Sequence, residues 1–239
     1  MKTQFLVISA LVGASAAQNL VIPARRGTIQ SLSAPMPISG TRDFANQEFD
    51  RGRPCNSDRD TGSSSAVFVL ENGATLSNVI IGVNALEGVH CKGSCTLRNV
   101  WFRDVCEDAI SILGNGNALI EGGGAQNAKD KVIQNNGRGT VTIRDYTVVS
   151  AGKLYRACGD CSNNGGPRNV IVERVRARDV PELVGINGNY QDTASVSGSC
   201  GAGVKTVCQE WIGVEKGRGQ STKSASTGKC RGQASLPAC

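Results

Sequence analysis

Residues 74–80 read ATLSNVI and residues 95–101 read CTLRNVW. Thr, Leu, Asn and Val recur in the same order, and Thr75 to Thr96 is an offset of 21 residues. The echo continues down the chain. Ala118-Leu119-Ile120 begins 22 residues after Thr96, and Thr140-Val141-Thr142-Ile143 begins 22 after Ala118. Arg168-Asn169-Val170-Ile171-Val172 follows after a longer gap that holds a Cys158–Cys161 loop, and Leu183-Val184-Gly185-Ile186 reads as another rung. Short β-branched runs divided by Gly, Asn and Asp are not helical, and no long stretch places apolar residues at i, i+3, i+4 and i+7. The fixed period predicts an all-β, single-domain solenoid, in which parallel strands stack as coils of a β-helix with an aliphatic interior. An ordinary β-sandwich of short strands is the alternative, and the regular spacing with its sequence echo favours the solenoid. Asn78 and Asn99, at matching places, predict an internal amide ladder along the axis.

Composition agrees with thin repeats. The chain has 239 residues, 30 of them Gly, and only 4% are aromatic, so a broad core built on Phe and Trp is excluded in favour of a narrow stack. Residues 1–17 read as a secretory signal: Lys2, the apolar run FLVISALVG at 5–13, then small-x-small cleavage patterns at 14–17. That run is too short to span a bilayer, and no later one is longer. A soluble, secreted, monomeric chain without membrane contact is therefore expected. Residues 18–54 form a polar N-terminal lead-in or cap, and residues 55–239 the β-helix domain with a Cys-rich C-terminal tail. All ten cysteines follow the signal, which predicts a disulfide-stabilised fold of unassigned connectivity and a stapled tail. Cys158-x-x-Cys161 lacks the second pair and the nearby histidines that a zinc site needs. The formal net charge is +6, one unit of which, Lys2, leaves with the signal. A basic secreted chain attracts polyanions. It has no basic cluster interleaved with aromatics, so an acidic polysaccharide fits better than nucleic acid.

Charged residues also keep the period. Glu87 precedes Glu107 by 20 residues, Asp108 precedes Lys131 by 23, Lys131 precedes Lys153 by 22, and Arg156 follows three later. Stacked coils would set these in one outer column, acids on two levels and bases on the next two. Singly, each reads more simply as a solvated charge; the ordered set is what points to chemistry. Glu87, Glu107 and Asp108 offer hard oxygen ligands for Ca²⁺. A uronate carboxylate on that ion would gain a more acidic α-proton, which Lys131 could remove if neutral. Ca²⁺, Lys153 and Arg156 are expected to lower its pKa. The enolate-like product is stabilised by metal and arginine, and departure of the C4 oxygen completes a β-elimination. Asp58 and Asp60, in the turn-like CNSDRDTGSSS at 55–65, read as solvated. His90, the sole histidine, reads as structural; Trp101 and Trp211 could stack on sugar rings, and Trp101 reads more simply as packing. Residues 217–230 (GRGQSTKSASTGKC) read as a flexible loop.

These stretches resemble the family 3 polysaccharide lyases, the secreted pectate lyases. The matching segments are Leu70–Leu76 with Asn78–Gly82, Glu87-Gly88-Val89-His90-Cys91, Val105-Cys106-Glu107-Asp108-Ala109, Gly122-Gly123-Gly124-Ala125, Asp130-Lys131-Val132, Gly152-Lys153-Leu154-Tyr155-Arg156 and Val184-Gly185-Ile186-Asn187. The resemblance implies a right-handed parallel β-helix, Ca²⁺ dependence and cleavage of polygalacturonate. It implies metal-binding roles for Glu107 and Asp108, the base for Lys131, and substrate binding by Lys153 and Arg156, with Arg156 gripping a carboxylate. Two departures stand out. Glu87 occupies a position where the family usually has Asp, and Ser111-Ile112-Leu113 lacks a lysine often found there. The second predicts weaker binding of polygalacturonate, or tolerance of partly methylated pectin. A pectin-binding or elicitor protein with weakened catalysis is the alternative function. A β-helical hydrolase fits poorly, because it needs two carboxyls facing each other across the bond.

Overall fold

The computed structural model describes residues 20–56 and 60–239; the expected signal at 1–17 and Asp58 lie outside the described residues. One stack of strands contains, in order, Arg26–Ser31, Thr41–Asp50, Ala74–Ile81, Cys95–Phe102, Ala118–Gln126, Gly139–Arg144, Arg168–Glu173, Ala194–Ser197 and Cys230–Gly232. A second contains Met36–Ile38, Ala66–Leu70, Glu87–Cys91, Ile110–Ile112, Lys131–Asn135, Lys153–Ala157, Glu182–Asn187, Thr206–Ile212 and Thr222–Lys223. The chain alternates between the stacks, so each circuit adds one strand to both. Every pairing in them is parallel except the last, where Trp211 faces Lys223 in an antiparallel ladder. Shorter strands at Thr147–Val149, Arg176–Arg178 and Cys200–Ala202 extend a third wall. The described residues contain no α-helix. This is the parallel β-helix that the repeat predicts.

The sequence echo is the interior. Leu76, Leu97, Ile120, Ile143, Val172 and Val196 are successive register partners, all essentially buried. Each is worth about 1.5–3 kcal/mol relative to exposure, and each packs on its counterpart one strand spacing away, about 4.8 Å. At the N-terminal end, within the segment read as a lead-in or cap, Thr41–Asp50 pairs with Ala74–Ile81. There Phe44, Phe49 and Phe68 close the interior, with ring centres 4.8–5.3 Å apart.

Corners recur in register. Asn78, Asn99, Gly122, Asp145, Arg174 and Gly198 each follow a residue of one aligned row, and all have positive φ. Asn and Asp tolerate this left-handed conformation better than most residues. The expected amide ladder is present, Asn99 Nδ2 donating to Asn78 Oδ1 at 3.0 Å and Asn78 Nδ2 to Asp43 Oδ2 at 2.6 Å. It runs along an exposed corner and not through the interior. The left-handed backbone that makes the corner turns these side chains outward, and the interior is left to aliphatics.

Among the described residues all ten cysteines are paired: Cys55–Cys106, Cys91–Cys95, Cys158–Cys161, Cys200–Cys239 and Cys208–Cys230. The last two staple the tail. Residues 217–230, read as a flexible loop, instead form a pinned strap. Ser224 N–H donates to the Glu210 carbonyl. The buried Glu210 carboxylate accepts from the Thr227 hydroxyl at 2.6 Å and from the N–H groups of Thr227 and Lys229 at 3.0 and 2.9 Å. The Ser/Thr-rich composition that suggests solvated loop here supplies donors to one carboxylate.

Two outcomes follow. Gly123 has φ +91°, and a Cβ there would lie 2.2 Å from the Val100 carbonyl oxygen. Gly123→Ala is expected to lose more than about 3 kcal/mol of stability, read from the urea midpoint at unchanged slope. Burial acts to raise the Glu210 pKa, but its donors outweigh burial and hold it below the ordinary glutamate range. A lowered carboxylate contributes stability above its unfolded pKa and loses it as pH falls through the folded one. Acidification below about pH 4 is therefore expected to release the strap. A red shift of Trp211 emission in a Trp101→Phe background would report it, and Glu210→Gln should show the same shift at neutral pH.

Candidate active site

The second stack carries the charged column on its outer face. Val89 pairs with Ile110 and Ile110 with Ile133. Two residues back along each strand, Glu87, Asp108 and Lys131 are therefore level with one another. Lys131 pairs with Lys153, and Lys153 with Glu182. It is thus Asp108, not Glu107, that continues from Glu87; Glu107 lies one residue earlier, in the bend before Ile110–Ile112. Arg156 belongs to a parallel column three residues along, in register with Gln134 and Gly185.

The first column opens on a groove of about 500 Å³ whose lining includes Glu87, Glu107, Asp108, Lys131, Gln134 and Leu113. The acidic end is strained electrostatically. Burial, then the neighbouring Asp108, pushes Glu107 up to about 9. Burial pushes Asp108 up to about 6 against the pull of Lys131. Asp108 Oδ1 is buried and receives no hydrogen bond, and stands 3.4 Å from Lys131 Nζ. Lys131 compensates these oxygens only in part, and the lone pairs left over are the donor chemistry that a hard cation satisfies. Among the described residues no three His, Cys, Asp or Glu side chains converge tightly enough to enclose a metal alone. A cation here would take the rest of its shell from water or from a ligand's oxygens.

Glu87 stands differently from the other two acids. It is 1% exposed. Its Oε1 accepts from Thr61 N–H at 2.9 Å, and its Oε2 lies 3.1 Å from His90 Nε2. His90 Nδ1 in turn lies 2.9 Å from Ser63 Oγ. The histidine thus ties the 60–65 loop to the wall. The Cys55–Cys106 disulfide anchors the start of that loop beside Glu107.

Lys131 donates to Asp130 Oδ2 at 2.7 Å. Asp130 also bridges to Lys153, 3.5 Å away. Burial alone would lower the Lys131 pKa, but Asp108, Asp130 and Glu107 outweigh it and raise it to about 12. The sequence reading, with Ca²⁺ and basic neighbours in view, expects the opposite. Among the protein's own groups carboxylates are the nearer charges, and Asp130 adjoins Lys131 in the chain. Arg156 is 8% exposed. Its Nη1 donates to Asn187 Oδ1 at 2.8 Å and its Nη2 to Ser221 Oγ at 2.8 Å. The guanidinium packs 4.8 Å from the Trp211 ring centre. Burial lowers its pKa to about 10. Asp130, Glu182 and Ser221 were not singled out from sequence; only Asp130 carried a signal, its place beside Lys131.

Residues 19–218 match the pectate lyase family. The chain is 47% identical over 222 residues to "probable pectate lyase E" of Neosartorya fischeri, across 91% of this chain and 86% of that protein. It is 48% identical over 207 residues to pectate lyase E of Emericella nidulans, across 86% and 80%. The solved catalytic domain of pectate lyase PelI from Erwinia chrysanthemi superposes with a TM-score of 0.72 at 33% identity, covering 85% of this chain and 96% of that one. PelI in complex with tetragalacturonic acid gives a TM-score of 0.69 at 34% identity, covering 82% and 66%. With a match over most of its length and relatives at nearly half identity, the chain belongs to the pectate lyase family.

Proposed function

We propose that this enzyme cleaves polygalacturonate by Ca²⁺-assisted β-elimination, leaving 4,5-unsaturated oligogalacturonides. The observation that carries the reading is the set of under-compensated carboxylates at Glu107 and Asp108 in one groove with Lys131, and Lys153 one strand further along the same column. The PelI complex with tetragalacturonic acid supports an oligogalacturonate as the groove's ligand. Glu107 and Asp108 would hold the cation, and Glu87, tied to Thr61 and His90, would add its charge behind them. Ca²⁺ held there would supply positive charge to the uronate carboxylate, making its α-proton more acidic, and would offset the acidic field that keeps Lys131 protonated. Lys131 takes the C5 proton. Asp130, 60% exposed, is free to turn away from it. Lys153 binds substrate carboxylate, and Arg156, held in place by Asn187, stabilises the enolate-like charge as the C4 oxygen leaves. The setting is extracellular, after loss of the signal at 1–17; the five disulfides suit an oxidising compartment.

Absorbance of unsaturated uronates from polygalacturonate, with and without a chelator, tests the reading. Product that needs calcium supports it, and reducing ends without unsaturation would replace it with hydrolysis. Lys131→Ala is expected to cut turnover by about 10²- to 10⁴-fold, the range for a positioned general base, with an unchanged melting temperature; full activity would move the base elsewhere. Leu113 is 37% exposed in the groove and presents an apolar surface to substrate. Leu113→Lys is expected to shift preference about 5-fold toward unmethylated over partly methylated pectin, the size of one added ionic contact. Rates on substrates of graded methylation measure this directly.

A further inference from the structure

The family match ends at residue 218, yet the chain beyond it returns to the candidate site. Thr222–Lys223 adds the final strand of the groove-bearing stack and sets Lys223 opposite Trp211. Gln209 Nε2 donates to the Ser224 carbonyl, and the donors gathered by Glu210 fix the strap from behind. Lys223 Nζ stands 3.3 Å from Glu182 Oε2 and 5.4 Å from the Trp211 ring centre. Trp211 Nε1 donates to Glu182 Oε1 at 3.0 Å. Glu182 is the residue of the column directly after Lys153.

The indole reaches this place because Gly185 leaves room. A Cβ there would lie 2.8 Å from Arg156 Cδ, 2.9 Å from Glu182 Oε1 and 3.1 Å from Trp211 Nε1. Three cations surround the ring, since Lys153 Nζ lies 5.9 Å and the Arg156 guanidinium carbon 4.8 Å from its centre. Glu182 faces Trp211 and Lys223 with its two oxygens, Asp130 stands 3.5 Å from Lys153, and Glu182, Asp192 and Asp130 all act on Arg156, which leaves Lys223 as the cation on the open side. The group is half open and lies one level beyond Lys153. A uronate unit carries a C–H face for an indole and a carboxylate for an ammonium, and Lys223, 57% exposed, is long enough to follow it.

We propose that Trp211 and Lys223 form a further uronate-binding position beyond Lys153, supplied in part by the C-terminal strap. The position makes the enzyme favour longer substrates than the Glu107–Lys153 core alone would hold. It rests on the reading of the groove as a polyuronate site, and its test does not need turnover. Binding of hexagalacturonate to the full-length Lys131→Ala protein is measured by calorimetry, with Lys223→Gln or Arg231→Gln added. Arg231 lies on the other stack, paired with Ser195, and controls for loss of one positive charge. Lys223→Gln is expected to weaken hexamer binding about 3- to 10-fold, with a smaller loss for the trimer and no change from Arg231→Gln. Trp211→Phe, which keeps a ring, should retain more affinity than Trp211→Ala at equal melting temperature. A Lys223→Gln effect no larger than that of Arg231→Gln overturns the proposal. Absence of unsaturated product from the wild-type enzyme would instead strike the lyase reading and leave the binding comparison standing.

Discussion

Hydrogen bonds between successive coils are the constraint on which everything else in this molecule depends. Each strand is level with the one before it, so a residue's height on the stack is set by backbone pairing and not by its own side chain. This turns a period in the sequence into vertical rows. The row Leu76, Leu97, Ile120, Ile143 becomes the interior; the row Glu87, Asp108, Lys131, Lys153, Glu182 becomes the charged wall. Because the wall is rigid, like charges are held at strand spacing whether or not they repel.

That enforced closeness explains the electrostatics. Burial lifts both Glu107 and Asp108, Asp108 lifts Glu107 further, and Lys131 is drawn up by the acids on two sides. The two effects are halves of one imbalance, an excess of carboxylate at one end of the groove that a divalent cation would relieve. Further along the stack cations gather at successive levels. Lys153, Arg156 and Lys223 gather around Trp211, with Glu182 between them. The outer wall of the second stack therefore carries acids at Glu87 and Asp108 and cations from Lys131 onward.

Much of this was legible in the sequence, because a solenoid writes its third dimension into its period. The repeat from Ala74 to Ile186 specified the parallel stack, and the spacing of Lys131 and Lys153 specified their adjacency. What sequence could not resolve was register to a single residue. A count of 20 from Glu87 to Glu107 and one of 21 to Asp108 look alike, and only the pairing of Val89 with Ile110 decides between them. Contacts across unequal loops were also hidden. Ser221 meets Arg156 across 65 residues, and no spacing rule anticipates it. Composition misled at 217–230, where serines and threonines serve Glu210 instead of solvent. The Asn78–Asn99 ladder was found on the wrong side of the wall, since a left-handed corner is invisible until φ is known.

The placement of the disulfides gives the stack a direction. Cys200–Cys239 and Cys208–Cys230 clamp the last coils, whereas the first described coil, Arg26–Ser31 with Thr41–Asp50, precedes every cysteine and is held by non-covalent contacts, among them Phe44, Phe49, Phe68 and Arg51. In a one-dimensional array each layer leans on its neighbour, so opening begins where the end layer is held least firmly. This molecule is a zipper with its slider locked at the carboxyl end. Fraying is expected to enter from the end without disulfides, and the covalently fastened end is the one beside Arg156 and Trp211.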